Sequence, residues 1–405
     1  NNNGQWEEGK EDLHSSLCTA TGSIPAGFPQ LQTCDVSNSG YASVTFEDND
    51  AGSKTFISLD VDARRDAAQR FNRNKTHDVL GLIKGKLESV NFPTDFEEIA
   101  QSGYLAVIVA DGNGMGAGVP SKTNYYDYFN RQIAIENYFY QFRYQMRVAI
   151  RKTLDDFVSA GQGGQVRVRP MMLGGDDLVL VCDAPLAFDF IKKLCGLVES
   201  NDQPPGRKFT LGVGIAIVKW RFPFHRAHAL AEQLAASAKV RWRAEKGLGG
   251  NQPPPSMVDW LVTSEAWHDD LESTRVRDAV REIRVGAAIE KLVLSRRPYP
   301  VRSSNPKPIP EPGSLEGLLE IRKGLVAGDK AKVARSQVMY LADTLPLGKR
   351  QGNHAVRDLP EGVRAALKPL LQNESPWDAS GTTGVLDLLD LHEVIALGEG
   401  KGDRR

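Results

Sequence analysis

An unbroken apolar run, Tyr104-Leu-Ala-Val-Ile-Val-Ala110, stops at an acid, Asp111, and a second acidic pair, Asp176-Asp177, sits behind two glycines between further apolar runs. A run with β-branched members and no polar alternation predicts a strand buried on both faces. The runs Val166–Leu173 and Leu178–Cys182 flank Gly174-Gly175-Asp176-Asp177. Paired glycines supply the backbone freedom of a tight hairpin, so this segment predicts two antiparallel strands with acids at the tip. Between strand and hairpin, residues 126–158 place Phe142, Met146, Ile150, Leu154 and Phe157 on about one stripe, the spacing of a long helix.

A helix over 184–198, a strand over 209–218 and a helix over 225–243 complete the order β-α-β-β-α-β-α, the ferredoxin-like, split βαβ plan of an α+β domain. A strand at 257–262 and a helix over 273–287 are expected to close it. The expected division is an N-terminal irregular and helical region (1–98), the central domain (99–295), a linker (296–313) containing six prolines, and a small C-terminal helical domain (314–405). Within 1–98 the segment 60–98 carries a helical pattern ending near Pro93.

Lys and Arg together number 50 and Asp and Glu 51, so no global basic field points to nucleic acid and any such contact must be local. Cys18, Cys34, Cys182 and Cys195 form no C-x-x-C pair, which fits reduced thiols and a cytoplasmic setting. No apolar run reaches the ~18–20 residues that span a bilayer, so no membrane partner is expected.

In the split βαβ plan the first strand lies beside the hairpin, so Asp111 is expected to face Asp176 and Asp177. Three converging carboxylates repel one another unless cations neutralise them. Two Mg²⁺ (or Mn²⁺) ions ~3.5–4 Å apart would satisfy them and could drive attack of a 3′-hydroxyl on an α-phosphate. Asp176 and Asp177 are therefore the candidate catalytic residues, and Asp111, Gly112, Asp176 and Asp177 the candidate metal ligands. Gly112, Asn113, Gly114, Gly174 and Gly175 would let a nucleotide approach the backbone, while Lys239 and Arg243, at the end of the last helix, would meet its phosphates. Joining two nucleotides needs a donor and an acceptor pocket, which a homodimer could supply.

Competing patterns are weaker. Gly112-Asn-Gly114-Met-Gly116-Ala117 approaches a dinucleotide-binding fingerprint, but a long helix occupies the place of the required second strand and acid. Lys122-Thr123 lacks the glycine of a Walker loop. His77-Asp78 and His268-Asp269 would need further ligands for a metal phosphohydrolase, and Cys18 and Cys34 two more for zinc.

At Asp111-Gly-Asn-Gly-Met-Gly116 and Leu173-Gly-Gly-Asp-Asp177 the chain resembles the second palm domain of the CRISPR-associated polymerase, the large subunit of type III (Csm and Cmr) effector complexes. The resemblance covers roughly 100–265, with His228–Lys239 similar to that family's segment beside the triphosphate. It implies ATP as substrate, cyclic oligoadenylate as product, guide and target RNA and other effector subunits as partners, and Asp111, Asp176 and Asp177 as metal ligands. The family often has Asp where this chain has Asn113. Two further readings are a relative of the diguanylate cyclases, whose Gly-Gly-Asp/Glu-Glu-Phe is here Gly-Gly-Asp-Asp-Leu, and a scaffold that binds nucleotide or RNA without turnover.

Overall fold

The computed structural model describes residues 44–47, 54–57, 92–93, 95–115, 125–160, 167–174, 177–200, 209–247, 253–264, 270–302, 313–326 and 334–399. The chain divides into two compact units, 1–82 and 83–405. The described part of the first is an antiparallel strand pair, β1 (Val44–Glu47) and β2 (Lys54–Ile57). Cys18, Cys34, His77-Asp78 and most of the expected helix over 60–98 lie outside the described residues, as do Lys122-Thr123 and His268-Asp269. A single helical turn, α1 (Phe96–Ile99), follows Pro93 and is capped by Asp95, which accepts from the Glu97 amide at 3.0 Å.

The second unit is built on a six-stranded sheet. β3 (Tyr104–Gly112) leads into the 36-residue helix α2 (Tyr125–Ala160), then the hairpin strands β4 (Val168–Gly174) and β5 (Asp177–Asp183), helix α3 (Ala187–Ser200), β6 (Leu211–Lys219), helix α4 (Phe224–Gly247) and β7 (Met257–Thr263). A short strand, β10 (Tyr299–Pro300), adds the last edge, and the order across the sheet is β10-β7-β6-β3-β5-β4. β3 pairs antiparallel with β5 and β6, and β6 pairs parallel with β7. The four strands β6-β3-β5-β4 reproduce the split βαβ order expected from the sequence. Pro170 is tolerated because β4 is an edge strand, where a missing amide hydrogen breaks no second ladder.

β3 is buried along nearly its whole length because helices cover both faces. Leu105, Val107 and Val109 pack with Val179 and Val181 of β5 against Ala227, Leu230, Ala231, Leu234 and Ala235 of α4. The opposite face receives α2 and α3, through Phe142, Met146, Ile150, Phe188 and Ile191, all at most 1% exposed. At about 25 cal/mol per Å² of apolar surface removed from water, burial on both faces makes such a strand strongly stabilising.

The expected helix over 273–287 is a shorter helix followed by a hairpin. α5 (Leu271–Ala279), capped by Asp270, gives way to β8 (Val280–Val285) and β9 (Ala288–Val293), joined at Gly286 with φ +63°. Val280, Ile283 and Val285 are β-branched, and Gly286 supplies the left-handed turn, which together outweigh the helical spacing. Beyond it, Tyr299–Pro300 of the proline-rich stretch is paired with β7, while residues 303–312 lie outside the described residues.

The helices α6 (Leu315–Val326), α7 (Arg335–Thr344), α8 (Lys349–Arg357), α9 (Glu361–Leu367) and α10 (Val385–Glu399) complete the unit. α10 is tied to the sheet through Asp387, which is fully buried and accepts from Ser295 Oγ at 2.7 Å, the Arg296 amide at 2.7 Å and Tyr299 Oη at 2.8 Å. Arg297 joins it at 3.0 Å and donates to the Trp260 carbonyl of β7 at 2.8 Å. Among the described residues no helix is long and apolar enough to cross a membrane.

Candidate active site

The site lies where β3 ends. Asp111 and Asp177 are register partners across the β3–β5 ladder, so their side chains emerge on one face of the sheet. On its other side Asp111 is the register partner of Gly212 in β6. Alternation along β3 puts Asp111 in line with Leu105, Val107 and Val109, on the face covered by α4. Asp177 is exposed, and Gly174 is its partner across the hairpin. Gly175 and Asp176, the remaining tip residues, lie outside the described residues, as do Gly116 and Ala117 of the loop after β3.

Lys239 is brought to Asp111 by α4, and the two form an ion pair. What allows this is the absence of a side chain at Gly212 and at Gly214 of β6. A Cβ at Gly214 would sit 2.0 Å from the Ala231 carbonyl oxygen and 2.4 Å from the Ala235 amide nitrogen, both main-chain atoms of α4. A Cβ at Gly212 would sit 2.6 Å from Cγ of Lys239 and 3.1 Å from Oδ1 of Asn113. Small residues on both partners, Gly212 and Gly214 facing Ala231 and Ala235, seat the helix directly on the strand and set the depth of Lys239.

The Asn113-Gly114 turn closes the site. The Asn113 amide donates to the Thr210 carbonyl at 2.8 Å, and its Nδ2 to Thr210 Oγ1 at 3.2 Å. Gly114 has φ +66° and lies against the Trp242 ring, which a Cβ there would approach to 2.9 Å. Trp242 is anchored by its Nε1, which donates to the Pro254 carbonyl at 3.0 Å, and the Lys246 ammonium lies 5.0 Å from its ring centroid. These residues enclose a pocket of about 280 Å³, lined by Gly112, Asn113, Gly114, Met115, Lys239, Trp242 and Arg243. Three cations, Lys239, Arg243 and Lys246, thus gather along about two helical turns beside the pocket.

Of the residues expected from the sequence, Gly112, Asn113, Gly114, Lys239 and Arg243 meet in this pocket, and Asp111 joins it through Lys239. Trp242, Met115, Thr210 and the Gly212/Gly214 seat are additional. The aromatic between two basic residues in Arg241-Trp242-Arg243, and the Gly-x-Gly inside an apolar strand, were the available signals.

The donor set suits a hard divalent cation. Among the described residues no three His, Cys, Asp or Glu side chains converge on a point. Magnesium, however, needs only one or two carboxylates when water and phosphate oxygens complete its shell. Two carboxylates on one face, beside the buried Asn113 Oδ1, which has no hydrogen-bond partner among the described residues, meet that requirement.

Residues 104–246 match the family described as Cas10/Cmr2, second palm domain. This segment is a palm domain of the Cas10/Cmr2 type. The palm is also similar in fold to solved structures at low identity. Diguanylate cyclase SiaD from Pseudomonas aeruginosa, in complex with its activator SiaC, aligns at 11% identity and a TM-score of 0.28, over 50% of this chain and 71% of that one. The coiled coil and GGDEF domain of DgcB from Caulobacter crescentus, in complex with c-di-GMP, aligns at 14% and 0.25, over 50% and 94%. Csm1 from T.onnurineus aligns at 16% and 0.34 over 75% of this chain, which spans 40% of the Csm1 chain. No curated protein gives a sequence match.

Proposed function

We propose that the chain is a metal-dependent nucleotidyltransferase of the palm type, which joins nucleoside triphosphates, ATP first among them, into cyclic oligonucleotides within an RNA-guided antiviral effector of the cytoplasm. The observation that carries this reading is the placement of Asp111 and Asp177 on one face of the sheet, with the Asp111 partner Lys239 lining a pocket together with Gly112, Asn113, Gly114 and Arg243. The match of residues 104–246 to the Cas10/Cmr2 palm supports it.

In this reading the Gly112-Asn113-Gly114 backbone borders the triphosphate, and Lys239 and Arg243 hold its charge. Asp111 and Asp177, with Asp176, would hold Mg²⁺ or Mn²⁺. Such ions would neutralise the triphosphate and favour in-line attack of a 3′-hydroxyl. Lys239, which lines the pocket, would meet the charge that develops on the departing phosphates. Gly212 and Gly214 keep α4 close enough for that reach.

The test is incubation of the purified protein with each labelled nucleoside triphosphate and Mg²⁺ or Mn²⁺, with and without RNA, followed by mass analysis. Oligonucleotide products that vanish in Asp176→Ala/Asp177→Ala are the expected result. Nucleotide binding without any product under every condition would instead favour a scaffold role.

A further inference from the structure

The solvent face of α2 carries chemistry that the nucleotide pocket does not use. From Asn137 to Leu154 the helix contains Arg143, Arg147, Arg151 and Lys152 and no acidic residue, in a chain whose net charge is only -1. At about 100° per residue, Tyr140, Tyr144, Arg147 and Arg151 fall within about 60° of one another, on the side turned away from the buried Phe142 and Met146, and Arg143 lies between them and the buried Ile150. Tyr140 is 64% exposed and Tyr144 60%, and the three arginines are exposed as well. Arg143 Nε donates to the Phe139 carbonyl at 3.3 Å, which holds its guanidinium along the helix.

Two open tyrosines one turn apart, interleaved with arginines, are poorly suited to an apolar partner and more than an acidic one requires. They suit a strand whose phosphates take the guanidinium groups and whose bases stack on the rings. Glu136 and Asp155 bracket the stripe. From Tyr140 to Arg151 it runs ~16 Å, long enough for several nucleotides at ~3.4 Å each.

We propose that this face of α2 binds single-stranded nucleic acid. α2 packs against the sheet face reached by Gly112, through Phe142, whereas α4 and Lys239 cover the face bearing Asp111. The exposed side of α2 shares no residue with the nucleotide pocket, and the proposal stands independently of turnover.

The experiment is fluorescence anisotropy of the full chain with short labelled RNA, the same sequence as DNA, and the corresponding duplex, over a series of salt concentrations. Single strands are expected to bind at least tenfold more tightly than duplex, with log affinity falling against log salt by ~0.7 per phosphate neutralised. In Arg143→Ala/Arg147→Ala/Arg151→Ala the slope should become shallower by about two and affinity fall at least tenfold. In Tyr140→Ala/Tyr144→Ala affinity should fall about tenfold with the slope kept, since stacking is not ionic. The RNA and DNA arms identify which strand the face prefers. Thermal melts of both variants check folding, and all five side chains point to solvent. No binding by the native chain, equal binding of duplex, or binding untouched by both sets of substitutions overturns the proposal. So does a loss confined to self-association or to an acidic protein partner. Products from nucleoside triphosphates without strand binding would sink this inference alone, and strand binding without products would sink only the enzymatic reading.

Discussion

The ammonium of Lys239, in the second half of α4, is ion-paired with the carboxylate of Asp111 at the end of β3. The pair joins two elements far apart in sequence, and Lys239 also lines the pocket that Gly112, Asn113 and Gly114 border. A lysine so placed can exchange one anion, a carboxylate, for another, a phosphate. Lys239→Ala is therefore expected to lower nucleotidyl transfer by ~10²–10³, the usual effect of losing one preorganised group that stabilises developing charge. Initial rates and calorimetric nucleotide affinity check it. Unchanged rates would remove Lys239 from the site.

The glycine seat beneath α4 predicts two different substitutions. Gly214→Ala drives a Cβ into main-chain atoms at 2.0 and 2.4 Å that cannot swing aside, so a loss of about 1–3 kcal/mol is expected in thermal melts. Gly212→Ala meets a flexible lysine side chain at 2.6 Å, so stability should change less and nucleotide affinity more.

Asp177 is exposed at the start of β5. Asp177→Ala should keep the melting profile within about 0.5 kcal/mol of the native protein while abolishing turnover. Loss of folding would give this acid a structural role instead.

Asp387 carries the attachment of α10 to the sheet. Asp387→Ala strips partners from Arg297, Tyr299 and Ser295 at once. Removing one side of a buried charged network costs about 3–5 kcal/mol, so a large fall in melting temperature is expected. Tyr299→Phe, which deletes a single hydrogen bond, should lose about 1 kcal/mol.

Asp259 of β7 is buried, and burial raises its pKa above the ordinary aspartate value, with the ion-paired Arg275 opposing the rise. A folded-state pKa above the unfolded one stabilises the protein below the unfolded value and loses that contribution as pH climbs through the folded value. The melting temperature of the native protein minus that of Asp259→Asn should therefore be greater near pH 4 than near pH 7. A difference independent of pH would contradict the shift.

The elements that could be read from the chain are those whose pattern is fixed by burial on a whole face. β3 announces itself because six of its nine residues form one apolar block, and α2 because Phe142, Met146 and Ile150 recur at helical spacing. Asp111 and Asp177 followed, since strand order alone makes them neighbours. β8 and β9 were hidden because Val276 and Val280 continue a helical spacing into what is an exposed hairpin. β10 is two residues long and is held by main-chain pairing and by Tyr299, neither of which leaves a periodic trace. The seat for α4 was visible only as two glycines in a strand, whose purpose depends on which helix lies over them.

The way β10 closes the sheet bears on how this domain can be transplanted. The family match ends at residue 246, before β7 and β10 have been laid down. A cassette cut there would leave β6 with a bare row of amides and carbonyls beside an apolar surface, an open template for other chains to pair with. Carrying the cassette through Val301 shields that edge, but Tyr299 then arrives without Asp387. The portable unit is the sheet together with α10, and chimeras that transplant this palm should place their junctions outside both.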